Sequence, residues 1–225
     1  MFEAVILAGG MGSRLKSVTG ELPKPMVDVC GTPFLYRLMQ RLESQGCSKI
    51  VLSLCYRADY IIDKVKADKP VACIVDFAVE TSPLDTGGAI KLAASYITEK
   101  QFVVLNGDTF CEIDYNALMH YSQHSDLVIC GGVVEDVSRY GTLSLNSENT
   151  VLSMNEKGDT GKGVINTGIY VLTTSEISDV TAERFSFEQD FIQTYHSPFK
   201  AYVSDSYFVD IGIPEDYYKF CKTIK

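Results

Sequence analysis

The first residues equipped for chemistry form one run, Leu7-Ala8-Gly9-Gly10-Met11-Gly12-Ser13-Arg14-Leu15, where the apolar stretch Phe2–Ala8 ends. Glycines let backbone N–H groups turn toward a ligand and let that ligand approach closely. Such a loop is an anion nest suited to phosphate. Two familiar glycine loops do not fit. The dinucleotide fingerprint G-x-G-x-x-G fails at Leu15, and no stretch has the Walker A spacing G-x-x-x-x-G-K-[ST]. The reading gains from nearby cations. Arg14 suits bidentate phosphate contact, and Lys24 supplies a point charge. Lys24 sits in Leu22-Pro23-Lys24-Pro25-Met26, where the two prolines stiffen the backbone and restrict the ammonium.

Two acids stand out further along. Asp108 follows Leu105-Asn106-Gly107, and Asp210 lies in Phe208-Val209-Asp210-Ile211-Gly212. If they converged, they could share one Mg²⁺ that also takes phosphate oxygens. Their separation in sequence leaves convergence open, and each could instead be a turn or cap aspartate. His120 and His124 have zincin spacing, but Tyr121 stands where the catalytic Glu would be. A solvated helix face explains them better, and His196 has no visible partner.

The elements that must position these groups alternate. Phe2–Ala8, Lys49–Cys55, Val71–Val79 and Gln101–Leu105 read as strands with continuous apolar character. Between them, Thr32–Gln45, Ala58–Lys66 and Thr86–Tyr96 have helical spacing, with Thr32 a plausible cap and Gly46 a stop. This rhythm predicts a parallel sheet with helices on both faces. After residue 126 short strands follow one another: Leu127–Val134, Gly141–Leu145, Val151–Asn155 and Val164–Leu172. They predict a mixed or antiparallel addition. Helices near Phe187–Tyr195 and at Pro214–Lys222 close the chain. Ligands of open α/β sheets bind at the carboxyl ends of the strands, which is where the glycine loop and Asp108 fall.

The chain has 225 residues, 46% hydrophobic and 22% charged, which excludes disorder, collagen and coiled coil. That length suits one domain or one domain with an arm. The expectation is a single domain, with about 1–125 binding nucleotide and about 126–225 binding the second substrate. A net charge of −9 makes a general nucleic-acid or anionic-membrane partner a poor fit. Seven cysteines, odd in number and without C-x-x-C spacing, argue for reduced thiols in a cytoplasmic protein. Met1–Gly10 holds a strand and not a signal peptide, and no run is long and apolar enough to span a membrane.

The runs LAGGMGSRL and LPKPM, with the Asp108 and Asp210 segments in order behind them, resemble the signature of the sugar-1-phosphate nucleotidyltransferases. The similarity extends from Ala4 to Pro214. It implies a Rossmann-like (GT-A-like) mixed, mostly parallel sheet and transfer of a nucleoside monophosphate from an NTP to a sugar 1-phosphate. It implies Asp108 and Asp210 as Mg²⁺ ligands. Arg14 would hold the leaving pyrophosphate, and Lys24 the charge around the transferred phosphoryl group. Glu156 and Lys157 match the family's E-K pair for sugar hydroxyls and sugar phosphate. Asn166, in Asn166-Thr167-Gly168-Ile169-Tyr170, and Gly141, in Arg139-Tyr140-Gly141-Thr142, match its sugar contacts. The segment Glu80–Ala89 matches the region that cradles the base, with Gly87 and Gly88 allowing the base to lie on backbone.

Glu80 bears on the base. A carboxylate only accepts hydrogen bonds. Guanine presents two adjacent donors, N1–H and N2–H₂, whereas uracil and thymine present one ring N–H beside carbonyls. This favours GTP, although Glu80 could also cap the turn. The chain stops soon after the last helix, without the hexapeptide-repeat domain of some relatives, so no acyltransferase activity is expected. Asn106–Phe110, Arg139–Thr142 and Pro214–Tyr218 resemble the branch that uses GTP and a manno-heptose 1-phosphate for bacterial surface polysaccharide. Other hexose 1-phosphate enzymes using UTP, CTP or dTTP are the alternative, as is a silent nucleotide-binding regulatory subunit. Some relatives are homo-oligomers, but no seam here is separable from core.

Overall fold

The computed structural model describes residues 1–155 and 160–224. In chain order the elements are β1 (Phe2–Leu7), α1 (Lys16–Thr19), β2 (Asp28–Val29), β3 (Thr32–Pro33), α2 (Phe34–Ser44), β4 (Cys47–Leu54), α3 (Ala58–Asp68), β5 (Ile74–Val79), α4 (Asp85–Ala94), β6 (Gln101–Asn106), β7 (Thr109–Cys111), α5 (Tyr115–Tyr121) and β8 (Leu127–Val134). Then come β9 (Thr142–Leu145), β10 (Val151–Asn155), β11 (Gly163–Thr173), α6 (Thr174–Ser178), a wide helical turn (Phe187–Ile192), β12 (Lys200–Ser204), β13 (Phe208–Asp210) and α7 (Pro214–Thr223).

The main sheet runs β10-β9-β11-β6-β1-β4-β5, with β8 against β11 and β12 against β8. Strands β6, β1, β4 and β5 are mutually parallel. Strand β11 joins β6 antiparallel and carries β8 and β9 antiparallel in turn. The sheet is therefore continuous from the first half of the chain into the second. Because β1 lies between parallel neighbours, both its faces are covered. Ala4 and Ile6 pack under α2, α3, α5 and α7, while Val5 faces the opposite core with α4 and α6. The period of two along a strand divides the residues this way.

Some boundaries differ from the sequence reading. Thr32 and Pro33 pair with Val29 and Asp28, so α2 starts at Phe34 and Thr32 does not cap it. Strand β5 begins at Ile74, three residues late. The helix expected near Phe187–Tyr195 is a wide turn with bonds five residues apart, Phe191 N to Ser186 O and Gln193 N to Glu188 O. Strands β7, β12 and β13 were not foreseen. The three-residue β7 and β13 form a separate antiparallel pair.

Candidate active site

The loops after β1, β4, β5 and β6 open on one side of the sheet and enclose a cavity of about 580 Å³. Leu7, Gly9 and Gly10 line it from the first loop, Glu80 from the third, and Asn106–Asp108 from the fourth. Ala8 is buried beneath, donating its N–H to Ser53 O at 2.8 Å. Gly107 donates to Leu7 O at 2.9 Å, and a Cβ on it would stand 2.5 Å from that oxygen. Only glycine lets these two strand ends come so close.

Gly12 has a different task. Its φ is +61°, and a Cβ there would lie 2.4 Å from Lys24 Cβ. The glycine lets the Pro-Lys-Pro segment lie directly against the loop. Ser13 then opens the short turn Ser13–Leu15, which leaves Arg14 exposed. Lys24 starts the turn Lys24–Met26 and is only 6% exposed. Its Nζ donates to Asp108 Oδ2 at 2.5 Å. A buried ammonium needs such a partner, because desolvating an unpaired charge is costly.

Asp108 and Asp210 meet through the β7–β13 pair. Asp210 stands opposite Thr109, and Ile211 N donates to Asp108 O at 2.9 Å. Asp210 Oδ1 accepts the Gly212 N–H at 2.6 Å. Burial, and then the negative charge of Asp108, raise the Asp210 pKa above the usual aspartate value. Two neighbouring carboxylates that repel one another fit a hard divalent cation. Among the described residues no group of three His, Cys, Asp or Glu forms. Mg²⁺ suits such a donor set, since it commonly takes one or two carboxylates and fills its shell with water and phosphate oxygens.

A second cavity of about 610 Å³ adjoins the first and shares Asn106 and Asp108 with it. Gly141, Asn166, Asp210 and Arg14 line it. Gly141 O accepts the Asn166 N–H at 3.0 Å, so the two expected sugar contacts are joined to each other. Arg14, expected on the nucleotide side, stands in this cavity with both aspartates. Glu156 and Lys157 lie outside the described residues.

Glu80 divides its carboxylate. Oε2 accepts the Leu84 N–H at 2.9 Å and caps the turn, while Oε1 sits on the Gly9 side, 3.2 Å from where a Cβ would be. Burial raises its pKa. Gly87 and Gly88, expected against the base, are not among the residues that line these two cavities, although their neighbours Thr86 and Ala89 line the first. A Cβ on Gly87 would lie 2.2 Å from the Phe185 ring, and one on Gly88 2.2 Å from Glu183 O. These glycines admit the 183–185 segment against α4 on the side where a Cβ would stand.

Sequence reasoning passed over Asn106, Tyr140, Glu188 and Gln193, all of which line the second cavity. The strand-end rule could have found Asn106. The others are carried by segments whose placement follows from long-range packing.

Residues 3–225 match the Nucleotidyl transferase family. The chain is 37% identical over 228 residues to D-glycero-alpha-D-manno-heptose 1-phosphate guanylyltransferase of Aneurinibacillus thermoaerophilus, covering 99% of this chain and 98% of that protein. It is 38% identical to the protein of the same name from Campylobacter jejuni, over 97% and 98% of the two chains. The crystal structure of HddC from Yersinia pseudotuberculosis superposes with a TM-score of 0.95 at 54% identity. The same protein complexed with GMP-PN gives 0.94 at 55%, and both structures cover all of each chain.

Proposed function

The chain belongs to the nucleotidyl transferase family, and from that premise we propose that it transfers GMP from GTP to D-glycero-α-D-manno-heptose 1-phosphate, yielding GDP-heptose and pyrophosphate. One observation carries the reading: two cavities, each large enough for a small-molecule substrate, meet at Asn106 and Asp108, with Lys24 held at the junction. Near-full-length similarity to two heptose 1-phosphate guanylyltransferases supports the choice of base and sugar. The first cavity then takes the nucleotide and the second the sugar phosphate, within one domain whose halves divide near residue 125. The reading carries a cytoplasmic location with it, and a role in bacterial surface polysaccharide.

The reaction needs no general base. A phosphate monoester has a second pKa of about 6, so the attacking oxygen is already ionised at neutral pH. It attacks the α-phosphorus in line, and the bond to the pyrophosphate oxygen breaks. The difficulty is that two polyanions must meet, so the residues act by positioning and by offsetting charge. Backbone N–H groups of the Gly9–Ser13 loop face the triphosphate. Lys24 neutralises charge around the transferred group, and its burial makes that charge count for more than it would in water. Arg14, which lines the second cavity beside both aspartates, binds phosphate oxygens there as the pyrophosphate leaves. Asp108 and Asp210 would hold Mg²⁺, which when bound draws charge from the phosphate oxygens it contacts. Asn166 and Gly141 orient the sugar, and Glu80 accepts from the guanine edge through Oε1.

The test is pyrophosphate release with Mg²⁺, using GTP, ATP, CTP, UTP and dTTP against a panel of hexose and heptose 1-phosphates. Release confined to GTP with the manno-heptose 1-phosphate is expected. Release with another pair would overturn the base or sugar assignment. Silence with a folded protein would overturn the reaction.

A further inference from the structure

The second cavity has a polar wall that the chemistry above leaves unused. Glu188 and Gln193 line it from the wide turn and the residue after it. Hydrogen bonding from residue i to i+5 inserts one extra residue, a feature that concentrates at functional sites. Gln193 N donates to Glu188 O at 3.1 Å, and both residues line the same cavity.

Behind Glu188 runs a single chain of hydrogen bonds. Asn166 Nδ2 donates to Tyr170 Oη at 2.9 Å, and Tyr170 Oη donates to Glu188 Oε1 at 2.8 Å. Asn166 Oδ1 accepts the Gly168 N–H at 3.0 Å, which sets the orientation of the amide. Tyr170 is fully buried, edge-on to Phe187 at 5.0 Å. Burial, and then the nearby charge of Glu188, push its phenol pKa well above the ordinary value. The phenol therefore stays protonated, and each link of the chain points one way. Glu188 Oε1 is filled, while Oε2 has no hydrogen-bond partner among the described residues.

An ionised carboxylate is an acceptor only. Beside a phosphorylated substrate it repels the phosphate and suits a hydroxyl. We propose that Glu188 is a specificity-determining residue for the acceptor sugar, taking a sugar hydroxyl on Oε2 while Tyr170 and Asn166 hold it in position. The proposal rests on the second cavity being the sugar 1-phosphate site.

The experiment measures kcat and both KM values for the wild type, Glu188→Ala, Glu188→Gln and Tyr170→Phe, with GTP and D-glycero-α-D-manno-heptose 1-phosphate. A lost hydrogen bond to a charged group predicts a rise of about tenfold or more in the sugar KM for Glu188→Ala. Glu188→Gln, which keeps the shape but turns a donor toward the hydroxyl, should fall between. Tyr170→Phe should reproduce part of the rise. The KM for GTP should stay within about twofold throughout, a split that general misfolding would not produce. An unchanged sugar KM in both Glu188 variants, or a GTP KM that rises in step, overturns this assignment alone. A wild type silent with every sugar 1-phosphate overturns the reaction and this assignment together.

Discussion

Lys24 and the two aspartates set the problem at the residue scale, because a buried ammonium sits against one of two crowded carboxylates. Asp108→Asn should cut turnover by about two orders of magnitude or more, a loss that persists where the variant is fully folded, and it should also lower the denaturation midpoint because the buried Lys24 ammonium loses its carboxylate; Lys24→Met should lose about 10²–10³ in kcat. Steady-state kinetics beside urea titration checks both. Asp210 gives a pH prediction of opposite sign to that of a salt-bridged acid. Its folded pKa is raised, so the folded state holds the proton to higher pH than the unfolded state does. Stability therefore falls as pH climbs from the unfolded carboxylate pKa through the folded one, and stays lower above it. Metal-free Asp210→Asn should melt higher than wild type at pH 7, and the gap should close as the pH drops below the unfolded value. Calorimetric scans across pH would show it, and a lower melting point at pH 7 would refute the account. Much of this site was legible in the chain. A lysine between two prolines and an acid at a strand end are local patterns. The closeness of Asp108 to Asp210 was not legible from spacing, because no local pattern sets which distant segments pair.

Elements explain how that closeness arises. Strands β7 and β13 have three residues each, too few for any periodicity, and they are held from outside. Arg41 of α2 donates to Cys111 O at 3.1 Å and to Ile113 O at 2.9 Å, anchoring the far end of β7. Phe220 of α7 packs on Phe110 at 5.0 Å and on Phe34 at 5.6 Å, tying the last helix to β7 and α2. Phe220→Ala should cost about 3–5 kcal/mol in chemical denaturation. Since β13 carries Asp210 and β7 begins directly after Asp108, kcat should fall as well under conditions where the variant is still folded. Gly12 acts between elements. Gly12→Ala forces a side chain into a left-handed position at about 1–2 kcal/mol and pushes Lys24 away, so kcat should drop more than stability alone accounts for.

At the scale of the whole molecule, two cavities meet where strands from both halves of the chain come together. A net charge of −9 coexists with Lys24 in the first cavity and Arg14 in the second, one on each side of Asp108 in the lining. Binding at the first cavity should therefore stabilise the whole domain. GTP at a hundred times its Kd should add about 2.7 kcal/mol, or roughly 5–10 °C in Tm for a chain of this length. UTP should do so only at much higher concentration, and equal shifts with both would remove base selection from Glu80. The sequence by itself determined the alternation of parallel strands and helices, the glycine loop, the guarded lysine and the two acids. Each is written in local pattern, in apolar spacing or in the backbone freedom of particular residues. Tertiary structure alone decided that Asp108 meets Asp210, that Gly87 and Gly88 receive the 183–185 segment, and that Asn166, Tyr170 and Glu188 form one chain. Those contacts join distant parts of the chain, and long-range packing selects them where local propensity is silent.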